Sequence, residues 1–391
     1  MSIVVTGVGL VSALGIGVEQ NLASIRRGES GISSSATILK TSNQLPVGEL
    51  HVTNEDLHVA ANIPTREHLS RTALLGILAV KEALADARVD TTKRIGLVSS
   101  TSVGGMDLTE HFFEEFIEDD TKGRLRDVRM HDCAASTNAI AKYCGINGYT
   151  TTLSTACSSA ANAVMVGAKL LMHDIVDYVV VGGCDALSAF TINGFKSLMI
   201  LDERKCRPFD ANRAGLNLGE GAGYLVLQRE EDASSRYCSL AGYANRNDAH
   251  HQTASSAEGN GAFLAMEEAL RVAHLAPESV SYVNAHGTGT GNNDASESAA
   301  FIRLFGDKVP PFSSTKGFTG HTLAAAGGIE AVFSVLSLKE GYLYPNLNFE
   351  SPIPETGLTP ITQFEEGATI DCVLTNSFGF GGNCSSLVFT R

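Results

Sequence analysis

The sequence predicts an α/β protein built from two similar halves. Three observations carry this expectation. Short β-type runs alternate with helical stretches along the whole chain. The β-type runs are near-continuous apolar strings, the pattern of strands buried on both faces of a parallel or mixed sheet. Each half also holds an alanine-rich helix directly after a chemically useful residue: Cys157 before Ser-Ser-Ala-Ala-Asn-Ala, and His321 before Thr-Leu-Ala-Ala-Ala-Gly-Gly.

In chain order, Ile3–Val8, Arg94–Ser100, Tyr149–Thr155, Tyr178–Cys184 and Tyr224–Gln228 read as strands, with helices over Leu69–Ala87 and Ser158–Met172. A second series follows. Leu240–Ala244, Ser281–Ala285, Thr369–Thr375 and Ser386–Thr390 read as strands, and Gly261–Ala273, Glu297–Phe305 and Thr322–Lys339 as helices. The polar run Glu230–Arg236 places the division between residues 1–235, with the cysteine, and 236–391, with the two histidines. Glu118–Arg129 and the proline-rich Pro345–Glu366 are expected as the longest loops.

With 391 residues, 43% hydrophobic and 18% charged, the chain is long enough to bury a large core. Its net charge of −14 argues against nucleic-acid binding, which needs basic stripes. Eight cysteines without a CxxC pair give neither a zinc pattern nor a disulfide scaffold, so no metal is expected and reduced thiols in the cytoplasm fit best. Met-Ser-Ile-Val-Val-Thr-Gly has no basic leader and enters a strand at once, so no signal peptide is expected. No apolar run approaches the roughly 20 residues of a membrane span.

Cys157 is expected at a strand-to-helix junction. There, unpaired N–H groups and the helix dipole favour the thiolate, which is the nucleophile. An isolated cysteine of this kind is more often a core filler, and it is the company it keeps that argues otherwise. His286 lies in Asn-Ala-His-Gly-Thr-Gly-Thr at a strand end, with Thr288 and Thr290 offering hydroxyls; a surface Gly/Thr turn fits the same residues. His321 is placed at a helix start, where the dipole keeps imidazole neutral. Lys316 and Glu330 are charges in an apolar stretch, expected to pair or to contact a histidine; a solvated loop lysine and an exposed helix glutamate is the bland alternative. Asn-Ser-Phe-Gly-Phe-Gly-Gly-Asn, holding Phe378 and Phe380, supplies a flexible aromatic turn or, equally, two core phenylalanines. Asn217-Leu-Gly-Glu-Gly-Ala-Gly lacks both phosphate-loop signatures and reads as a tight turn into a strand.

Taken as an ordered set, these runs resemble the β-ketoacyl-acyl carrier protein synthases. The resemblance starts with Val-Val-Thr-Gly-Val-Gly-Leu-Val-Ser-Ala-Leu-Gly. It continues through Thr-Ala-Cys-Ser-Ser-Ala, Arg-Pro-Phe-Asp, Gly-Glu-Gly-Ala-Gly, His-Gly-Thr-Gly-Thr and Gly-His-Thr-Leu-Ala-Ala-Ala-Gly, and ends at Asn-Ser-Phe-Gly-Phe-Gly-Gly-Asn. It covers essentially the whole chain. It implies the thiolase-like fold, with two pseudo-symmetric halves in an αβαβα five-layer arrangement around two sheets, normally dimeric. It implies decarboxylative condensation of an acyl chain with a malonyl unit on acyl carrier protein, without a cofactor of its own.

Position by position, the resemblance makes Cys157 the acylated nucleophile, with His286 and His321 holding the malonyl thioester. Lys316 and Glu330 support the histidines. The N–H groups of Cys157 and Phe380 form the oxyanion hole. Thr288 and Thr290, with Phe378 and Phe380, contact the pantetheine arm and gate the acyl pocket. Two segments depart from the commonest fatty-acid versions: Ala214-Gly-Leu-Asn217 replaces Asp-Gly-Phe-Val, and Gly291-Asn-Asn-Asp294 lacks the frequent initial proline. Both resemble synthases of specialised polyketide-type clusters such as aryl polyene, flexirubin or dialkylresorcinol pathways.

Two rivals are a thiolase, with Cys384 as its second cysteine, and a subunit of a heterodimer paired with a chain-length factor. Thiolases lack the His-Gly-Thr-Gly-Thr turn, and chain-length factors lose the cysteine. A chalcone-synthase-like enzyme would carry Asn in place of His321. For docking of an acidic carrier protein, Arg66, Arg71, Arg204, Lys205 and Arg207 are the basic candidates.

Overall fold

The computed structural model describes residues 2–391. The first half contains β1 (Ile3–Ser12), the two-residue β2 (Gly15–Ile16), α1 (Val18–Arg26), α2 (Asn54–Ala60), α3 (Arg71–Asp86), β3 (Ile95–Ser100), α4 (Met106–Glu118), α5 (Leu125–Val128), α6 (Cys133–Cys144), β4 (Thr150–Leu153), α7 (Ser159–Met172), β5 (Tyr178–Asp185), α8 (Ala189–Ser197) and β6 (Gly221–Arg229). After a 3₁₀ turn at Glu230–Asp232 come β7 (Cys238–Asn247), α9 (Asn260–Ala273), β8 (Tyr282–Asn284), α10 (Gly291–Phe305), β9 (Phe312–Ser313), α11 (Lys316–Thr319), α12 (Ala326–Glu340), β10 (Cys372–Gly379) and β11 (Asn383–Thr390).

Strand order explains the internal likeness. The first half runs β4-β3-β5-β6-β1 and the second β9-β8-β10-β11-β7. With β2 set aside, both follow one pattern: third, second, fourth, fifth, first. In both, the three outer strands are parallel and the last strand is antiparallel to its neighbours. Where two separate sheets are expected, the hydrogen-bonded ladder is continuous, because Val4 pairs with Ser239 and Val5 with Cys238. Only these edge residues of β1 and β7 join the half-sheets.

Helices fill three layers. α3 packs on β1, β6 and β5 and carries α6 on its flank, while α9 lies on β7 and β11 with α10 beside it. Between them α7 and α12 touch each other, α7 against β5 and β3, α12 against β6 and β10. The apolar core divides into a central cluster around Val5, Val164, Leu225, Val332 and Leu387, two outer ones around Leu75 and Val180 and around Met266 and Leu374, and a smaller fourth around Leu187, Leu216 and Leu323. α12 reaches its sheet through glycines: a Cβ on Gly223 would stand 2.3 Å from the Ile329 nitrogen, so only a bare backbone permits this approach.

Every expected strand and helix exists, with ends shifted by a few residues. Glu118–Arg129 contains the short helix α5, and Pro345–Glu366 forms no helix or strand. Helices α1, α2, α4, α6 and α8, and the four-residue α5 and α11, are absent from the sequence reading. Side-chain caps open three of these: Thr53 accepts from Asp56 N ahead of α2, Asp132 accepts from Ala134 N ahead of α6, and a Ser188–Thr191 capping box opens α8, whereas α1 and α4 start on glycines without one.

Candidate active site

The cysteine turn is built by its own neighbours. Ala156 adopts φ 53, a left-handed conformation that costs an ordinary residue roughly 1–2 kcal/mol. Ser158 and Ser159 hold the turn by donating to Thr155 O (2.7 Å) and Ala156 O (2.5 Å), and Thr155 N donates to Ser159 Oγ. Cys157 thereby projects between two cavities. One is a cleft of about 300 Å³ that also holds His286, His321, Thr288, Thr290, Phe378, Phe380 and Cys384. The other is a more apolar pocket lined by Val103, Phe190, Leu198, Leu323 and Phe380 among others. Phe380 lines both and stacks on Phe195 with ring centroids 6.0 Å apart.

The thiol does not behave as the helix position alone predicts. Cys157 lies two residues before α7 and is buried. Burial pushes its pKa up to about 11; Lys316 and its own backbone N–H pull the other way without overcoming it. Free cysteine is the resting form.

The histidines face each other edge to face, with ring centroids 5.4 Å apart, and Phe378 packs on His286 at 5.7 Å. Both imidazoles are held well below their usual pKa, by burial first and then by Lys316. They are therefore neutral, but desolvation rather than a helix dipole dominates. Their tautomers follow from their neighbours. Leu323 N donates to His321 Nδ1 at 3.1 Å, and the Lys316 ammonium faces His286 Nδ1 at 3.3 Å. In each ring Nδ1 is the acceptor, so the proton sits on Nε2.

Lys316 and Glu330 are both buried and form an ion pair, and Lys316 also donates to His286 O at 2.5 Å. Burial raises the Glu330 carboxyl to about 7 against the pull of Lys316. The backbone of His321 is clamped as well: its N–H donates to Asn217 O and its carbonyl accepts from Gly219 N. Thr288 and Thr290 lie with hydroxyls 3.0 Å apart. At the end of β10, a Cβ on Gly379 would fall 3.1 Å from Cys157 N, so the strand leading into Phe380 abuts the cysteine backbone. Gly381 and Gly382 both have positive φ.

Three groups of functional weight escaped sequence reasoning. Glu297 accepts from His286 N and Gly287 N, and Asp294 from Thr288 N, Gly289 N and Phe209 N. These two carboxylates, one turn apart on α10, shape the whole His-Gly-Thr-Gly turn; their i, i+3 spacing just after it is the available signal. The third, Asn217, binds Cys206 N through its side chain and His321 N through its carbonyl. Arg71 and Arg207 do not serve as docking charges. Arg71 is buried in a two-pronged pair with Glu220 (2.9 and 2.7 Å), and Arg207 is buried 3.6 Å from Asp202. Arg66, Arg204 and Lys205 are exposed.

Cys384 shares the cleft, yet a Cβ on Gly261 would stand 2.8 Å from its sulfur, so the thiol packs on the start of α9; burial raises it to about 12. All eight cysteines are free. Among the described residues there is no cluster of His, Cys, Asp and Glu fit to hold a metal, and no helix long and apolar enough to cross a membrane.

Residues 1–233 match the family described as beta-ketoacyl synthase, N-terminal domain, and residues 237–350 match its C-terminal domain. The chain belongs to the β-ketoacyl synthase family. It is a condensing enzyme of the acyltransferase class, with the thiolase-like fold. Among similar proteins, the 3-oxoacyl-[acyl-carrier-protein] synthase 2 of Staphylococcus aureus is 33% identical, covering 100% of this chain and 98% of its own. Its namesake from Vibrio cholerae is 31% identical over 100% and 99%. Of solved structures, the ishigamide ketosynthase/chain length factor superposes with a TM-score of 0.93 at 27% identity, covering 100% of this synthase and 99% of that chain. A ketosynthase in complex with its chain length factor from Xenorhabdus doucetiae gives 0.86 at 30% identity, over 100% and 98%.

Proposed function

We propose that this synthase extends a carrier-bound acyl chain by one malonyl unit, with Cys157 as nucleophile and His286 and His321 as the decarboxylation pair. The two neutral Nε2–H donors sharing one cleft with the thiol carry this reading. In the first half-reaction Cys157 Sγ bonds to the acyl carbon, and the proton it loses ends on the departing pantetheine thiol. Because the thiol rests protonated, this step needs proton transfer and not merely a preformed thiolate. In the second, both Nε2–H groups hold the malonyl thioester oxygen, CO₂ leaves, and the resulting enolate attacks the Cys157 thioester. The Cys157 and Phe380 N–H groups receive the oxyanion, and its collapse leaves the β-ketoacyl chain on the carrier and expels the Cys157 thiolate, which takes a proton from solvent to restore the resting thiol. Lys316 and Glu330 fix His286, Thr288 and Thr290 take the pantetheine arm, and Phe380 with Phe378 separates arm from acyl pocket. No cofactor enters these steps.

We place the synthase in the cytoplasm with acyl carrier protein as substrate carrier and a second ketosynthase-like chain as partner. Two observations favour a partner over a lone chain. The apolar pocket ends at Phe190 and Leu198, 60% and 45% exposed, beside α4, whose Phe113 and Ile117 are 56% and 72% exposed. Glu110 of α4 accepts from Ala189 N and Phe190 N, so this apolar face is one rigid surface. The solved relatives that pair a ketosynthase with a chain length factor, and one described as a type II polyketide acyl-carrier protein in complex with its ketosynthase (TM-score 0.88, 27% identity, 100% and 99% covered), support the same arrangement.

The test is intact mass after incubation with acyl-carrier-protein thioesters, followed by malonyl carrier. One acyl mass on the Cys157 peptide, absent in Cys157→Ala, and a β-ketoacyl product on the carrier are expected. Acyl label on Cys384 would overturn the assignment.

A further inference from the structure

Asp185 is the one buried carboxylate beside the catalytic cysteine that the reaction above does not use. It ends β5 with no exposed surface, and among the described residues no cation pairs with it. Five hydrogen bonds reach it instead. Oδ1 accepts from Thr101 Oγ1 (2.5 Å), Ser102 N (3.0 Å) and Val103 N (3.3 Å). Oδ2 accepts from Ser102 N (3.0 Å) and Ala324 N (2.8 Å).

These donors belong to two different parts of the machinery. Ser102 and Val103 wall the apolar pocket on the first half. Ala324 follows Leu323, which does two things: its side chain lines that same pocket, and its N–H sets the His321 tautomer. Leu323 is held at φ 52, a conformation that relaxes unless its neighbours restrain it. The Ala324–Asp185 bond is such a restraint.

We propose that Asp185 is a positioning residue that ties the Leu323–Ala324 turn to the Thr101–Val103 segment, so that the Leu323 N–H stays aimed at His321 Nδ1 and the proton placement on His321 is set. The proposal rests on the role given above to His321. It makes Asp185 necessary for decarboxylation and condensation and largely dispensable for self-acylation, since it makes no hydrogen bond to the Cys157 turn.

The test exploits the donor count. An amide in place of the carboxylate must turn its own N–H₂ toward main-chain N–H groups whichever way it flips, so Asp185→Asn cannot satisfy both sides. Self-acylation of Asp185→Asn, read by intact mass, is expected within a few-fold of the parent. Malonyl decarboxylation is expected to fall on the order of 10²-fold, the cost of a small misplacement. The ¹⁵N signal of His321 Nδ1 should move as its hydrogen bond from Leu323 loosens. Thr101→Val, which removes one donor and leaves the Ala324 link, should change the ratio of decarboxylation to acylation in the same direction by less, and stands in if Asp185→Asn does not fold. Equal losses in both half-reactions, or an unmoved His321 signal with an unchanged ratio, would overturn the proposal. His321→Ala serves as reference: if it decarboxylates normally, the role of His321 fails, whatever Asp185 does.

Discussion

The two halves share a layout and differ in what they place on it. Cys157 follows β4, the third main strand of its half, and stands before the central helix α7. His321 follows β9, the third strand of the other half, and stands before the central helix α12. The ends of the fourth strands correspond too. Gly379, ending β10, presses on the Cys157 backbone, while Asp185, ending β5, holds the Ala324 N–H beyond His321. Each half thus braces the reactive turn of the other. The difference lies after the second strand, where the first half has Thr101–Val103 against an apolar pocket and the second has His286 with Lys316 and Glu330. On the roles proposed above, one scaffold used twice separates acyl capture from carbanion formation.

That division is open to attack. His286→Ala and His321→Ala should each cost roughly 10²–10⁴ in condensation rate while self-acylation of Cys157 falls far less. Acylation lost with decarboxylation preserved would reverse the assignment of the halves. Arg71→Ala tests whether buried charges in the first half are structural. Leaving Glu220 uncompensated should cost about 3–5 kcal/mol, seen as a lower midpoint in urea unfolding. An unchanged midpoint with a raised KM for carrier substrates would return Arg71 to the surface.

The pH dependence of the thiol sharpens the comparison further. With its pKa near 11, Cys157 holds less thiolate at pH 7–9 than an ordinary cysteine. Iodoacetamide labelling at Cys157 should therefore keep rising above pH 9, and an inflection below the ordinary thiol value would show the helix dipole winning over burial. The smallest effect belongs to the surface. Reversing Arg204 and Lys205 together should raise the apparent KM for carrier-bound substrate by a few-fold and flatten its salt dependence, because exposed charges act over about 8 Å at physiological salt. A short pantetheine mimic should turn over unchanged; equal losses with carrier and mimic would make the loop part of the site.

What the sequence revealed follows from how much of each signal is local. Apolar strings such as Tyr178–Cys184 and the alanine-rich starts of α7 and α12 are local, and they were legible. So was the suspicion that Lys316 and Glu330 must meet, since two charges in an apolar stretch need partners. Burial is not local. Arg71 sits at a helix start, where a basic residue reads as exposed; only the distant Glu220, with Leu50 O and Val52 O, draws it inside. The Cys157 pKa was misjudged for the same reason: the dipole argument needs only neighbours in sequence, whereas desolvation needs the second half of the chain. Asp294 and Glu297 are not marked by the sequence, because their partners are backbone N–H groups, which it does not display.

The narrow seam between the half-sheets has a consequence for biogenesis. Val4 and Val5 contribute a meagre link to β7, so the halves are held together chiefly by α12, which lies on β6 of the first half and beside α7. While the ribosome is still making residues beyond 236, α7 has one apolar flank and nothing to lay against it. The emerging first half is thus sticky until the last strands arrive, an interval of roughly ten to thirty seconds at ordinary elongation rates. Truncations near residue 235 should accordingly collect in inclusion bodies, whereas the full chain closes over its own vulnerable layer.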